Sequence, residues 1–122
     1  MEELKLGAVE ARFADIIWAN EPLSSRALVD LCQERLEWKK STTYTVLKKL
    51  CERGLFQNES GCVTSLISKE EYFARQSQQF VEETFDGSLP AFIAAFTRRK
   101  ALSPEEAEEI RRLIDQMKEE SE

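Results

Sequence analysis

At 122 residues, with 42% hydrophobic and 33% charged side chains, the chain suits one ordinary domain or a small domain with a helical appendage. No stretch approaches the ~18 apolar residues of a membrane-spanning helix, and the acidic opening MEELKLGAVE lacks a secretory-signal layout, so a cytoplasmic protein with no membrane partner is expected. Histidine is absent, which excludes a Ser-His-Asp triad, a Cys-His pair and any histidine-bound metal; no catalytic residue, metal ligand or cofactor is expected.

Val9, Phe13, Ile16 and Ile17 recur at helical spacing and predict a first helix over about Ala8–Ala19, closed by Trp18 and stopped at Asn20-Glu21-Pro22. Ser24 or Ser25 should cap a second helix to about Arg35, with Ala27, Leu28, Leu31 and Cys32 inward. After the short connection Leu36–Lys40, Ser41 is expected to cap a third helix that ends at Gly54, a left-handed terminator. Thr43, Val46, Leu47 and Leu50 fall on one face of that helix; Ser41, Thr42, Tyr44, Thr45 and Lys48 fall on the other.

Leu55–Asn58 and Cys62–Ser68 are short β-prone runs around Ser60-Gly61 and predict a hairpin. Three helices followed by a hairpin is the winged variant of the helix-turn-helix plan. Helical patterning then returns over Lys69 to about Phe85. Asp86-Gly87-Ser88 breaks it, Leu89 to Arg98 follows, and Ser103-Pro104-Glu105-Glu106 forms a capping box before a last helix to about Lys118. The fold expected is therefore mainly α: a winged-helix domain over 1–68, then a helical dimerisation region over 69–122.

The dimerisation expectation comes from apolar bookkeeping. The helices beyond residue 68 carry five of the seven phenylalanines and cannot bury them in a monomer of this size. An exposed Phe or Leu forgoes about 1.5–3 kcal/mol of burial, so a second copy related by a two-fold axis is the simplest cover. Tyr72, Phe80, Phe85, Phe92, Phe96, Ile110, Leu113, Ile114 and Met117 are the expected contact set.

Net charge is −6, the wrong sign for a nucleic-acid binder, yet its distribution is uneven. Residues 1–68 carry 9 basic and 10 acidic side chains, and residues 69–122 carry 8 and 13. Between 38 and 53, Lys39, Lys40, Lys48, Lys49 and Arg53 face only Glu52. Screening over about 8 Å separates such a patch from distant acidic residues. Small polar residues at a helix start suit major-groove base edges, so Ser41, Thr42, Tyr44 and Thr45 are the candidate base contacts. Lys39, Lys40, Lys48 and Lys49 are the candidate phosphate contacts. The plain alternative is an amphipathic helix with a solvated Lys/Thr face.

Other features have simpler readings. Trp18 and Trp38 read as packing anchors, and the Glu105–Glu109 cluster as a solvated first turn. Cys32, Cys51 and Cys62 are odd in number and lack C-x-x-C spacing, which argues against a disulfide framework or zinc knuckle. Reduced, partly buried thiols are the plain reading; a redox or thiol sensor is the alternative.

The sequence resembles the penicillinase and methicillin-resistance repressors and their copper-responsive relatives. The matching residues are Leu6, Glu10, Ile16-Ile17-Trp18, Pro22-Leu23, Ser25 and Trp38, then Thr42 to Leu50 and Arg53-Gly54-Leu55. Ser68 to Tyr72, Gly87-Ser88-Leu89 and Leu102 to Glu106 continue the match, so the resemblance covers nearly the whole chain. It implies a winged-helix repressor that binds a palindromic operator in double-stranded DNA as a homodimer, with Ser41, Thr42, Tyr44 and Thr45 toward the bases. It also implies inactivation by a sensor protease at the bond between Ala95 and Phe96, although alanine stands here where the resistance repressors commonly have asparagine. The paired C-x-C motifs of the copper-responsive branch are missing. The stretch Gly61–Ser68 is about three residues shorter than the family's wing and uncharged, so fewer phosphate contacts and a shallower salt dependence are expected. The alternative function is an acidic helical protein-interaction regulator whose winged-helix fold does not bind DNA.

Overall fold

The computed structural model describes residues 5–121; residues 1–4 of the acidic opening, and Glu122 at the end of the helical region, lie outside them. Helix α1 (Ala8–Asn20) starts where the Glu10 side chain accepts the Gly7 N–H at 3.0 Å, and it buries Phe13, Ala14, Ile16 and Ile17. Val9, expected on that face, is exposed because it lies in the first turn, before α1 reaches the core. Strand β1 (Leu23–Ser24) follows, a third strand too short to leave a period-two signal.

Helix α2 (Ser25–Leu36) is capped by Ser24, whose Oγ accepts the Ala27 N–H at 3.0 Å. It buries Leu28 and Cys32 and ends at Glu37, held in the left-handed region at φ 56°. Helix α3 (Lys40–Glu52) begins earlier than expected. Its N-cap is Lys39, so Ser41 sits inside the first turn and does not cap it. The Phe13–Trp38 stack, with ring centroids 5.5 Å apart, holds Trp38 on α1 and brings the following residue into the cap position. Gly54, at φ +86°, terminates α3 as expected.

Strands β2 (Phe56–Glu59) and β3 (Cys62–Ser65) form a hairpin whose two-residue turn, Ser60 and Gly61, has both φ values positive, a type I′ turn. The sheet order is β1-β3-β2, all antiparallel, with Leu23 opposite Val63 and Phe56 opposite Ser65. Strand β3 stops at Ser65, three residues before the expected end, where the Leu66 N–H turns back to the Leu55 carbonyl at 2.7 Å. The Glu21 carboxylate accepts from the Ser65 N–H at 2.9 Å and from its hydroxyl at 2.8 Å, fixing the α1–β1 connection to β3.

Helix α4 (Lys69–Phe85) contributes Tyr72 to the same core as Phe13, Leu28, Leu47, Leu50, Phe56 and Val63. Trp18 bridges Phe56 and Tyr72 at 5.7 and 5.6 Å, while its Nε1–H donates to the Ile67 carbonyl. This is a winged helix: three helices, a three-stranded sheet and a short hairpin wing around one core.

The described residues divide into two compact units, one up to Gln78 and one from Gln79 onward, with the division inside α4. In the second unit α4 ends at Asp86-Gly87, both left-handed. Helix α5 (Leu89–Arg99) is capped by Ser88, and α6 (Pro104–Ser121) by Ser103, whose Oγ accepts the Glu106 N–H at 3.1 Å. Phe80, Phe85 and Phe92 meet edge to face at 5.7–6.0 Å, with Phe96 beside Phe92. Even so, no residue of α5 or α6 is buried among those described.

Candidate nucleic-acid interface

Helix α3 separates its faces as the spacing predicts. Thr43, Leu47 and Leu50 are buried and Val46 is half-buried, while Ser41, Thr42, Tyr44, Thr45, Lys48 and Lys49 are exposed. At ~100° per residue, Ser41, Thr45 and Lys48 run along the middle of the outer face. Because Lys39 supplies no side-chain cap, the first-turn N–H groups of α3 are uncapped and carry the helix's partial positive charge. Lys39 and Lys40 stand at that end, and with Lys48 they have no ion-pair partner among the described residues.

The base-facing candidates are not equivalent. The Thr45 hydroxyl donates to the Ser41 carbonyl at 2.9 Å, leaving its methyl and lone pairs outward. The Tyr44 hydroxyl donates to Ser25 Oγ at 3.3 Å, and the Ser25 N–H donates to the Gly61 carbonyl at 2.8 Å. The start of α2, the outer face of α3 and the wing turn are thus joined by two hydrogen bonds. Sequence reasoning missed Ser25 and Gly61 here, because helix periodicity carries no record of which helix starts meet. A shallow groove of about 340 Å³ lies between α3 and β2, lined by Tyr44, Leu47, Lys48, Cys51 and Asn58.

Lys49 stands apart from the other lysines. Its Nζ is 3.0 Å from Glu10 Oε2 on α1. The Glu10 carboxyl is held below the usual carboxylate range by the Gly7 N–H first and by Lys49 second. Arg53, one turn on, donates to the Lys5 carbonyl at 3.1 Å.

The expected dimer set is also divided. Tyr72 is only 6% exposed, and its hydroxyl accepts the Leu6 N–H at 3.1 Å. It is a core residue and not one of the exposed residues of the expected contact set, because the inward face of α4's first turn packs on Trp18. Phe85, Phe92 and Ile110 are half-buried; Phe80, Phe96, Leu113, Ile114 and Met117 remain exposed, Phe96 at 49% and Met117 at 66%. The Ala95–Phe96 bond lies inside α5.

Cys32, Cys51 and Cys62 are free thiols: buried, half-buried and exposed in turn. Burial pushes the Cys32 thiol up, partly offset by the Thr43 hydroxyl; burial and then the Glu52 charge push Cys51 up. Among the described residues no group of acidic or thiol side chains is arranged to hold a metal, and no helix is long and apolar enough to cross a membrane.

Comparison with known proteins gives a consistent result. The penicillinase repressor family profile matches residues 6–116. The methicillin resistance regulatory protein MecI of Staphylococcus aureus strain Mu50 is 22% identical over 115 residues, covering 91% of this chain and 94% of that protein. MecI of Mammaliicoccus sciuri is 21% identical over the same length and coverage. A penicillinase repressor of Bacillus licheniformis is 22% identical over 118 residues, covering 93% of this chain and 92% of the relative.

Proposed function

Because the chain belongs to the penicillinase repressor family of transcriptional regulators, we propose that it is a sequence-specific DNA-binding repressor acting as a homodimer on a palindromic operator. The observation that carries this reading is the outer face of α3, where Ser41, Thr42, Tyr44 and Thr45 stand exposed beside an uncapped helix start and beside Lys39, Lys40 and Lys48, which have no ion-pair partner among the described residues. Small hydroxyl residues can read base edges and thymine methyls in the major groove. Lys39, Lys40 and Lys48 neutralise phosphates and set affinity without reading sequence. Two copies of α3 enter successive major grooves about 34 Å apart. As an operator binder the protein acts in the cytoplasm, without catalysis and without a cofactor.

Cleavage between Ala95 and Phe96 by a sensor protease would relieve repression. Since that bond is helical, cleavage requires α5 to unwind locally. The second reading, a protein-interaction regulator that no longer contacts DNA, is favoured by the net charge of −6 and the wing's lack of basic residues.

Fluorescence anisotropy with the DNA upstream of the protein's own gene tests the proposal. Thr42→Ala or Thr45→Ala should cost about 1–3 kcal/mol at the preferred site and relax base choice. Lys39→Ala or Lys40→Ala should weaken all sequences about equally. If neither kind of change alters binding, α3 does not read DNA; if the wild type binds no DNA, the interaction reading takes its place.

A further inference from the structure

Lys48 and Lys49 are neighbours in sequence but about 100° apart around α3. Lys48 follows Ser41 and Thr45 at offsets of seven and three along the middle of the outer face. Lys49 turns to the flank beside α1, where Glu10 Oε2 lies 3.0 Å from its Nζ and the other Glu10 oxygen is held by the Gly7 N–H at 3.0 Å. The lysine side chain is 60% exposed and the glutamate 22%, so the charge that fixes the pair is the less accessible one. A DNA phosphate approaching Lys49 meets the Glu10 carboxylate at the same point and finds little net positive charge.

The neighbourhood reinforces the arrangement. Arg53 donates to the Lys5 carbonyl, and the Leu6 N–H donates to the Tyr72 hydroxyl on α4. Residues 5–10 therefore strap the last turns of α3 to α1 and to the start of α4.

We propose that Lys49 is a positioning residue and makes no phosphate contact: with Glu10 it closes a clasp that sets the angle at which α3 is presented to DNA. The assignment rests on the DNA-binding reading above and divides the four lysines into three that touch the ligand and one that holds the reader.

The test is the salt dependence of operator binding by the full-length protein, since each lost phosphate contact reduces the slope of log K against log salt by ~0.9. In a dimer, Lys48→Met removes two contacts and should flatten the slope by about 1.8. Lys49→Met should leave the slope unchanged while lowering operator affinity about twofold to fivefold, the range expected for loss of an exposed ion pair. Glu10→Gln should give the same loss, and the double variant no further loss. A slope flattened equally by Lys49→Met and Lys48→Met overturns the proposal and leaves DNA binding intact. Losses that add in the double variant also overturn it. If the wild type binds no DNA at all, the functional reading itself falls, and the clasp's role in DNA binding with it.

Discussion

Thr43 is the one buried polar side chain of the core whose hydroxyl makes no well-formed hydrogen bond among the described residues; the Cys32 thiol beside it is at best a weak partner. It faces inward because its position on α3 demands it: offsets of four and seven place it with Leu47 and Leu50. A buried unsatisfied hydroxyl costs about 1–3 kcal/mol. Thr43→Val keeps the β-branched shape and should therefore raise stability by about 1 kcal/mol in urea denaturation; a loss of that size would mean the hydroxyl is satisfied. Glu10 has the opposite character, since its charged form is preferred on folding. Its folded-state pKa lies below the ordinary glutamate value, mainly through the Gly7 N–H and then Lys49. Its stabilising contribution is present above the unfolded-state pKa and disappears as pH falls through the lowered one. The acid limb of a stability–pH curve should be less steep in Glu10→Gln than in the wild type.

Two elements depend on single turn or cap residues. The type I′ turn places Gly61 at φ +83°, where an added Cβ meets Ser25 Oγ at an ordinary 3.8 Å. Gly61→Ala should therefore cost about 1 kcal/mol through backbone conformation alone, without a clash. Thermal unfolding measures it, and a cost of several kcal/mol would show that the wing packs more tightly than this. Helix α6 begins with the Ser103–Glu106 capping box. Ser103→Ala should destabilise α6 by about 1 kcal/mol, visible as faster amide exchange confined to its first turns. Uniformly faster exchange across the chain would instead place the cap in the cooperative core.

For the molecule as a whole, the decisive asymmetry is burial. Up to Gln78 the chain has a closed core; beyond it, Phe80, Phe96, Leu113, Ile114 and Met117 are all exposed. Apolar surface of that kind requires cover, and the proposed partner is a second copy. Leu113→Glu with Ile114→Glu should convert a dimer into a monomer in sedimentation velocity and weaken operator binding sharply. An unchanged sedimentation coefficient would place the dimer contact elsewhere. A dimer with three phosphate-binding lysines per copy and a short uncharged wing should show a salt slope of about −5, from ~0.9 per contact. A slope of about −8 or steeper would require basic contacts that this reading does not supply.

Much of this was legible in sequence because it depends on local chemistry. Helical spacing gave α1 to α6, Gly54 and Ser60-Gly61 gave their turns, and Ser103 gave its cap, since each signal lies within a few residues of its effect. The buried and exposed faces of α3 followed from the same periodicity. Other features depended on residues far apart in the chain. Strand β1 exists only because β3 pairs with it. Lys39 replaced Ser41 as the cap because Phe13 stacks on Trp38, and Tyr72 joined the core because Trp18 meets it. Lys49 was separated from Lys48 by a carboxylate thirty-nine residues earlier. The pattern along the chain fixes which face of an element is apolar; which neighbour covers that face, and which charge meets which, is decided only when the elements pack.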